Sequence, residues 1–202
     1  GTLFMPSQTG GANWPGGAVD PESGIMYIFS KSDVGRMSMS NRPDRSDMDY
    51  INLQLRTAPR LTVDGLPLIK PPYGQVVALD LNEGEKLWDA VHGETPDSIR
   101  NHPALAGLDI PRTGQAGRVG VLVTKTLVIA GDGGSYTNAD GEQEALLRAY
   151  DKLTGEQLGS LAMPAQQTGS PMTYAIDGVQ YLAVAIAGSD VPGRLRVYSY
   201  EP

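Results

Sequence analysis

Ala78-Leu-Asp80-Leu-Asn-Glu-Gly84-Glu85-Lys-Leu-Trp88 returns 71 positions later as Ala149-Tyr-Asp151-Lys-Leu-Thr-Gly155-Glu156-Gln-Leu158. Each copy reads as a strand of small and apolar residues, an Asp-x-x-x-Gly-Glu turn and a second strand. A strand–turn–strand unit repeated within one chain is the signature of a repeat architecture such as a β-propeller. The remaining sequence is read around these two units.

Gly (25 residues) and Pro (15) make up about a fifth of the 202-residue chain, against roughly 12% in average proteins, and they are scattered rather than clustered. That distribution suits many short strands joined by turns. Residues 16–30 read as strand, Asp20-Pro-Glu-Ser-Gly24 turn, strand. Strands are expected at 75–79 and 86–90, at 119–124 and 126–130 with Lys125 near the hairpin tip, and across Ala145 to Leu161. Further strands are expected at 172–176 and 180–187, joined by the tight-turn pair Asp177-Gly178, and at 194–200. Gly131-Asp-Gly-Gly134 reads as a sharp turn and 135–144 as a polar loop. Two polar stretches interrupt the pattern, at 31–70 and 91–118. Both are too long for ordinary hairpin loops. The first is expected to hold a short strand around Asp49 to Arg56. The second is expected to hold a helical turn near Asp97 to Leu105, where Pro96 and Asp97 suit a helix start. The fold class is therefore all-β, with roughly ten to twelve strands forming about three four-stranded blades. Three blades cannot close a ring, and their unpaired edges imply missing sequence, self-association or both.

Composition narrows the function. Apolar residues at 40% and charged residues at 19% allow a packed core. The net charge of −7, with no basic stripe interleaved with aromatics, argues against nucleic acid as a partner. No apolar run approaches the roughly 20 residues of a membrane-spanning helix, and the N-terminus lacks the pattern of a signal peptide. The absence of cysteine removes disulfides, thiolate zinc sites and covalent haem attachment. His92 and His102 have no carboxylate in ligand spacing and read as surface or loop histidines. Gly131-Asp-Gly-Gly134 is not followed by a helix, so no phosphate cradle is expected there. Asp132 is read as a turn residue, with a funnel-facing role as the lesser reading. The oxygens of Asn138 to Glu142 lack calcium-loop spacing and read as a solvated loop. Ser30, Ser38 and Ser170 have no recognisable His–Asp partners.

The repeat Ala-x-Asp-x-x-x-Gly-Glu-x-x-Trp resembles the tryptophan docking motif of quinoprotein dehydrogenases, eight-bladed propellers that carry pyrroloquinoline quinone (PQQ). The resemblance implies that Ala78 is small because a neighbouring strand crowds it, that Asp80 and Gly84 shape the turn, and that Trp88 packs on a peptide plane of the next blade. Glu83 stands where the family usually has Thr, and Gly159 stands where the second copy should have Trp. Gly10-Gly-Ala-Asn13-Trp14-Pro-Gly-Gly17 resembles the Gly-Gly-x-Asn-Trp segment at the cofactor rim of PQQ-dependent alcohol and glucose dehydrogenases. Pro71-Pro-Tyr-Gly, Gly93-Glu-Thr-Pro, Arg118 to Leu127, Ala130-Gly-Asp-Gly-Gly, Leu147 to Lys152 and Gly169-Ser-Pro-Met-Thr-Tyr are similar to the C-terminal portion of the glucose-dehydrogenase-like branch.

The resemblance implies oxidation of an aldose or alcohol, with electrons passing to a quinone or a cytochrome, in the periplasm. It implies PQQ as cofactor, Asn13 and Trp14 as cofactor-binding residues, and calcium held by ligands outside this chain. It implies no catalytic residue and no metal ligand here, so the isolated chain is expected to be inactive and to need the remaining blades. Asn13 would offer an uncharged donor and acceptor to a quinone oxygen, and Trp14 its backbone amide and wall packing. From the residues alone, Asn13 equally reads as the cap of a tight turn and Trp14 as filler between blades. Two alternatives stay open: a cofactor-free propeller that serves as a protein-binding scaffold, and a separately encoded subunit that completes another chain's ring.

Overall fold

A computed structural model describes residues 1–52 and 61–199. The chain enters with β1 (Thr2–Phe4), then β2 (Gly17–Asp20) and β3 (Ile25–Lys31). The first excursion carries only short strands: β4 (Gly35–Met37), β5 (Met39–Ser40), β6 (Ile51–Asn52), β7 (Thr62–Val63) and β8 (Leu66–Pro67). β4 pairs with β1, β5 with β6, and β7 with β8. Of the strand expected around Asp49 to Arg56, Ile51–Asn52 is present and 53–56 lies outside the described residues. β9 (Gly74–Asp80) and β10 (Glu85–Val91) then complete an antiparallel four-stranded sheet in the order β10-β9-β3-β2.

The second excursion holds the one-turn helix α1 (Asp97–Arg100) and a 3-10 turn at Pro103–Leu105, as the Pro96-Asp97 start predicts. A second sheet follows: β11 (Val121–Val123), β12 (Leu127–Gly131), β13 (Tyr136–Thr137), β14 (Gln143–Asp151) and β15 (Gln157–Met163). Its main order is β11-β12-β14-β15, with β13 as a short addition on β14. Part of the stretch read as a polar loop, 135–144, is thus a two-residue ladder, held by Tyr136 Oη donating to Glu144 at 2.6 Å. The last sheet is β16 (Met172–Ile176), β17 (Val179–Ile186) and β18 (Arg194–Ser199), three strands among the described residues rather than four. Residue 200, the expected end of the last strand, lies outside the described residues. The sheets stay open, so the architecture is a partial propeller of two four-stranded blades and one three-stranded blade.

One turn chemistry recurs at the same end of the sheets. Asp20, Asp80 and Asp151 each use the side chain to accept backbone N–H groups two or three residues on. Each carbonyl accepts the N–H of a glycine four residues later. Those glycines, Gly24, Gly84 and Gly155, have φ of 72°, 73° and 75°, the left-handed region where other residues are strained. The excursions leave from the opposite end, where Lys31 pairs with Gly74 and Val91 with Gln75.

The core lies between sheets. Tyr27, Phe29, Val76 and Ala78 of the first blade pack on Val119, Val121, Val128, Ala130 and Tyr150 of the second. Ala145, Leu147 and Met163 of the second pack on Val184 and Ile186 of the third. Trp88, opposite Ala78 in the sheet, spans the first seam and donates from Nε1 to the Lys152 carbonyl at 3.1 Å. A Cβ on Gly155 would stand 2.6 Å from the indole, so only glycine lets that peptide approach the ring. Tyr27 Oη donates to the same carbonyl, and Lys152 Nζ reaches Asp20 at 2.8 Å.

His92 corrects a sequence expectation. It is fully buried beneath the second excursion, not on the surface. Its Nε2 faces the Gly131 carbonyl at 3.1 Å, which can only accept, so the proton sits on Nε2. Nδ1 therefore accepts from Tyr150 Oη at 2.8 Å. Asp132 is likewise fully buried, neither funnel-facing nor a plain turn residue. Its carboxylate takes a two-pronged bond from Arg148 at 2.7 and 3.0 Å, and Arg148 also donates to Glu94 at 2.9 Å. A buried ion pair of this geometry offsets its desolvation only because its lone pairs and protons are used.

Candidate functional site

All the long segments gather at the excursion end of the sheets. The segment 10–16 leads into β2, an edge strand of the first blade, and Ser170, before β16, donates to the Pro15 carbonyl at 3.3 Å. Within that segment Asn13 turns the chain. Its Nδ2 donates to the Thr9 carbonyl at 3.0 Å, its Oδ1 accepts the Trp14 N–H at 2.7 Å, and its carbonyl accepts the Gly16 N–H at 2.8 Å. The Trp14 ring is 97% exposed and fills no gap between the described blades. Both residues thus stand at the mouth of the sheets, on the face where the loops converge.

Lys31 closes this corner. Its backbone N–H binds the Gly11 carbonyl, and Nζ donates to Thr9 Oγ1 at 2.6 Å and to Asp33 at 2.9 Å. Burial works to raise the Asp33 pKa, but hydrogen bonds from Ser7 and Lys31 outweigh it and hold the carboxyl below its usual value. Asp33 is therefore an ionised acceptor at neutral pH.

A cleft of about 470 Å³ opens beside Lys31, lined by Ala116, Gly117, Arg118, Gly133 and Gln166 to Thr168. Gly117 and Gly133 are in backbone contact, and a Cβ on Gly117 would meet the Gly133 Cα at 2.6 Å. Gln167 ties the strands below, accepting the Gly131 N–H at 2.6 Å and donating to the Gly120 carbonyl at 2.8 Å. A second cleft of about 640 Å³ adjoins it through Ala116. The first excursion lines it with Ser32, Asp33, Leu61, Thr62 and Ile69, and the second with Pro96, Ser98, Ile99 and Gln115. The structure thus brings 31–70 and 91–118 together, although they are distant in sequence.

Lys31, Arg118 and Gln115 were not singled out in the sequence. Gln115 sits in Gly114-Gln-Ala-Gly117, a polar side chain between glycines, which was the available signal. Among the described residues no group of three His, Asp or Glu side chains could hold a metal ion, and no helix is long and apolar enough to cross a membrane.

Residues 1–182 match the family model described as glucose/ethanol/alcohol dehydrogenase, β-propeller domain, of the PQQ class. The chain belongs to the PQQ-dependent dehydrogenase family. Quinoprotein glucose dehydrogenase A of Acinetobacter calcoaceticus is 26% identical over 93% of this chain and 24% of its own length. Glycerol dehydrogenase large subunit of Gluconobacter thailandicus is 26% identical over 98% of this chain and 29% of its own. The chain therefore spans about a quarter of the curated relatives it matches. Among solved structures, quinohemoprotein alcohol dehydrogenase of Comamonas testosteroni superposes with a TM-score of 0.59 at 18% identity, covering 91% of this chain and 23% of that one. The corresponding enzyme ADHIIG of Pseudomonas putida HK5 gives 0.56 at 18% identity, covering 92% of this chain and 23% of that one. These superpositions show the propeller fold.

The donor chemistry of the smaller cleft suits the family's cofactor. PQQ is a flat tricarboxylate; the lining holds two cationic side chains, Arg118 and the Asp33-paired Lys31, while Gly117 and Gly133 keep backbone rather than side chains at its wall.

Proposed function

We propose that this chain is the C-terminal part of a periplasmic PQQ-dependent sugar or polyol dehydrogenase that passes electrons to a quinone or a cytochrome. The observation that carries the reading is the match of residues 1–182 to a quinoprotein dehydrogenase propeller, together with the convergence of every long loop on one face. Bound PQQ supplies a two-electron acceptor for a hydride from the alcohol carbon. Lys31 and Arg118 orient its carboxylates, with the Lys31–Asp33–Thr9 bonds fixing the lysine. Asn13 holds the rim: its amide is uncharged, so it can meet a quinone oxygen without shifting the redox balance. Trp14, whose backbone N–H is held by Asn13 Oδ1, contributes its exposed ring, a surface for the remaining blades and the cofactor to cover. The described residues of the two excursions, among them Ser32, Leu61, Ile69, Pro96 and Ile99, wall the cleft where the alcohol enters. Calcium, the catalytic base and the rest of the quinone pocket belong to the parent protein's other blades, so this chain alone does not turn over.

The test is a dye-linked assay of the full-length protein with PQQ, calcium and glucose or glycerol, beside the isolated chain. Turnover by the full-length protein that disappears without PQQ is expected, with none from the isolated chain. Turnover by the isolated chain, or a full-length protein that fails to retain PQQ in equilibrium dialysis, overturns the proposal.

A further inference from the structure

The geometry points to Gln115 as the residue that reads a second hydroxyl on the substrate, favouring polyols and sugars over simple alcohols. This rests on the dehydrogenase reading above and names the group within that face that sets specificity.

The Gln115 Oε1 is buried and is the one buried side-chain oxygen or nitrogen among the described residues with no hydrogen-bond partner. Its Nε2 makes a single long bond, to the Ser135 carbonyl at 3.3 Å. An amide so placed is unstable relative to one whose acceptor is paired, and the chain nevertheless holds the residue in place with unusual care. The Gln115 N–H is fixed to the His92 carbonyl at 3.0 Å. A Cβ on Gly93 would press the Gln115 Cβ at 3.0 Å, one on Gly134 would meet its Cδ at 2.5 Å, and one on Gly74 would collide with its carbonyl oxygen. Three glycines from three segments thus leave room for one glutamine. The residue lines the larger cleft together with the polar Ser32 and Asp33 and the apolar Ile69, Tyr73 and Ile99. Apolar walls accept the carbon skeleton of an alcohol. A hydroxyl beyond the reacting one can donate to the Gln115 carbonyl once the amide turns toward the cleft, giving the orphaned oxygen its missing partner. Discrimination by a hydrogen bond of this kind is strong because the analogue that lacks the hydroxyl leaves the site's polar group unpaired.

The experiment compares glycerol with 1-propanol, which share a three-carbon skeleton, in the full-length holoenzyme with wild-type Gln115 and with Gln115→Met. The substitution should lower the glycerol to 1-propanol ratio of kcat/KM by about tenfold or more, with 1-propanol changing less than about twofold. An unchanged ratio, or an equal fall on both alcohols, overturns the assignment while leaving the dehydrogenase reading intact. If the holoenzyme oxidises neither alcohol nor glucose, that reading fails. The side-chain ¹⁵N amide resonance of Gln115 then decides the inference: a shift on titration with glycerol but not with 1-propanol supports it, and no shift sinks it.

Discussion

Trp88 and His92 show how single side chains carry the seam between the first two blades. Trp88 combines ring packing on Gly155 with an N–H bond to a backbone carbonyl 64 residues away. Trp88→Ala should cost about 2–4 kcal/mol, the lower part of the range for large aromatic truncations because the ring is half-buried, measured as a fall in the denaturant midpoint at constant slope. His92 contributes through pH. Burial pushes its pKa down to about 4, with the nearby Asp132 charge opposing that shift, so the folded state holds it neutral where the unfolded chain begins to protonate at about 6.5. The unfolded state therefore binds the extra proton, and the stability His92 confers is whole above pH 6.5 and drains away as pH falls toward 4. Calorimetric melting between these limits should show the decline, and His92→Gln should flatten it. No feature of the local sequence announced this burial, because the groups that enclose His92 come from Gly131 and Tyr150, 39 and 58 residues on.

At the scale of elements, what could be read was what repeats locally. The Asp-x-x-x-Gly turns at 20–24, 80–84 and 151–155 carry their own hydrogen-bond logic within five residues, and the hairpins they close follow. The docking role of Trp88 was legible as well, as what the resemblance of Ala78 to Trp88 to the quinoprotein docking motif implies. The excursions were legible only in part, through the helical turn after Pro96-Asp97 and the strand at Ile51–Asn52. Their short ladders, β1 on β4 and β5 on β6, join segments with little alternation, so periodicity is silent about them. The same holds for the site. Asn13 and Trp14 were visible as a motif, whereas Lys31, Arg118 and Gln115 acquire meaning only when loops from three sheets meet. Arg148 illustrates the difficulty: in a nine-residue strand it reads as an outward-facing charge, yet Asp132 and Glu94 enclose it.

Across the whole molecule the two seams are unequal. Gly159 occupies, opposite Ala149, the register position that Trp88 occupies opposite Ala78, and Ile129 takes the place of Tyr27. A side chain added at Gly159 meets open space, and a cleft of about 610 Å³ lies there between Leu127, Ile129 and Leu161 of the second blade and Tyr181, Leu182 and Tyr198 of the third. Gly159→Trp should fill part of it and stabilise the protein by about 1–2 kcal/mol, seen as a higher melting temperature and slower amide exchange in β17 and β18. A drop in stability would mean that the cleft cannot admit an indole. The Asp-x-x-x-Gly turns within each blade, one of which offers the Lys152 carbonyl to Trp88 across the first seam, and the loops that shape the clefts lie at opposite ends of the strands. Substitutions in those turns therefore spare the clefts, and the cleft-lining positions can be re-equipped for alcohols of different size and polarity so long as His92 and Glu94 keep Tyr150 and Arg148 as partners.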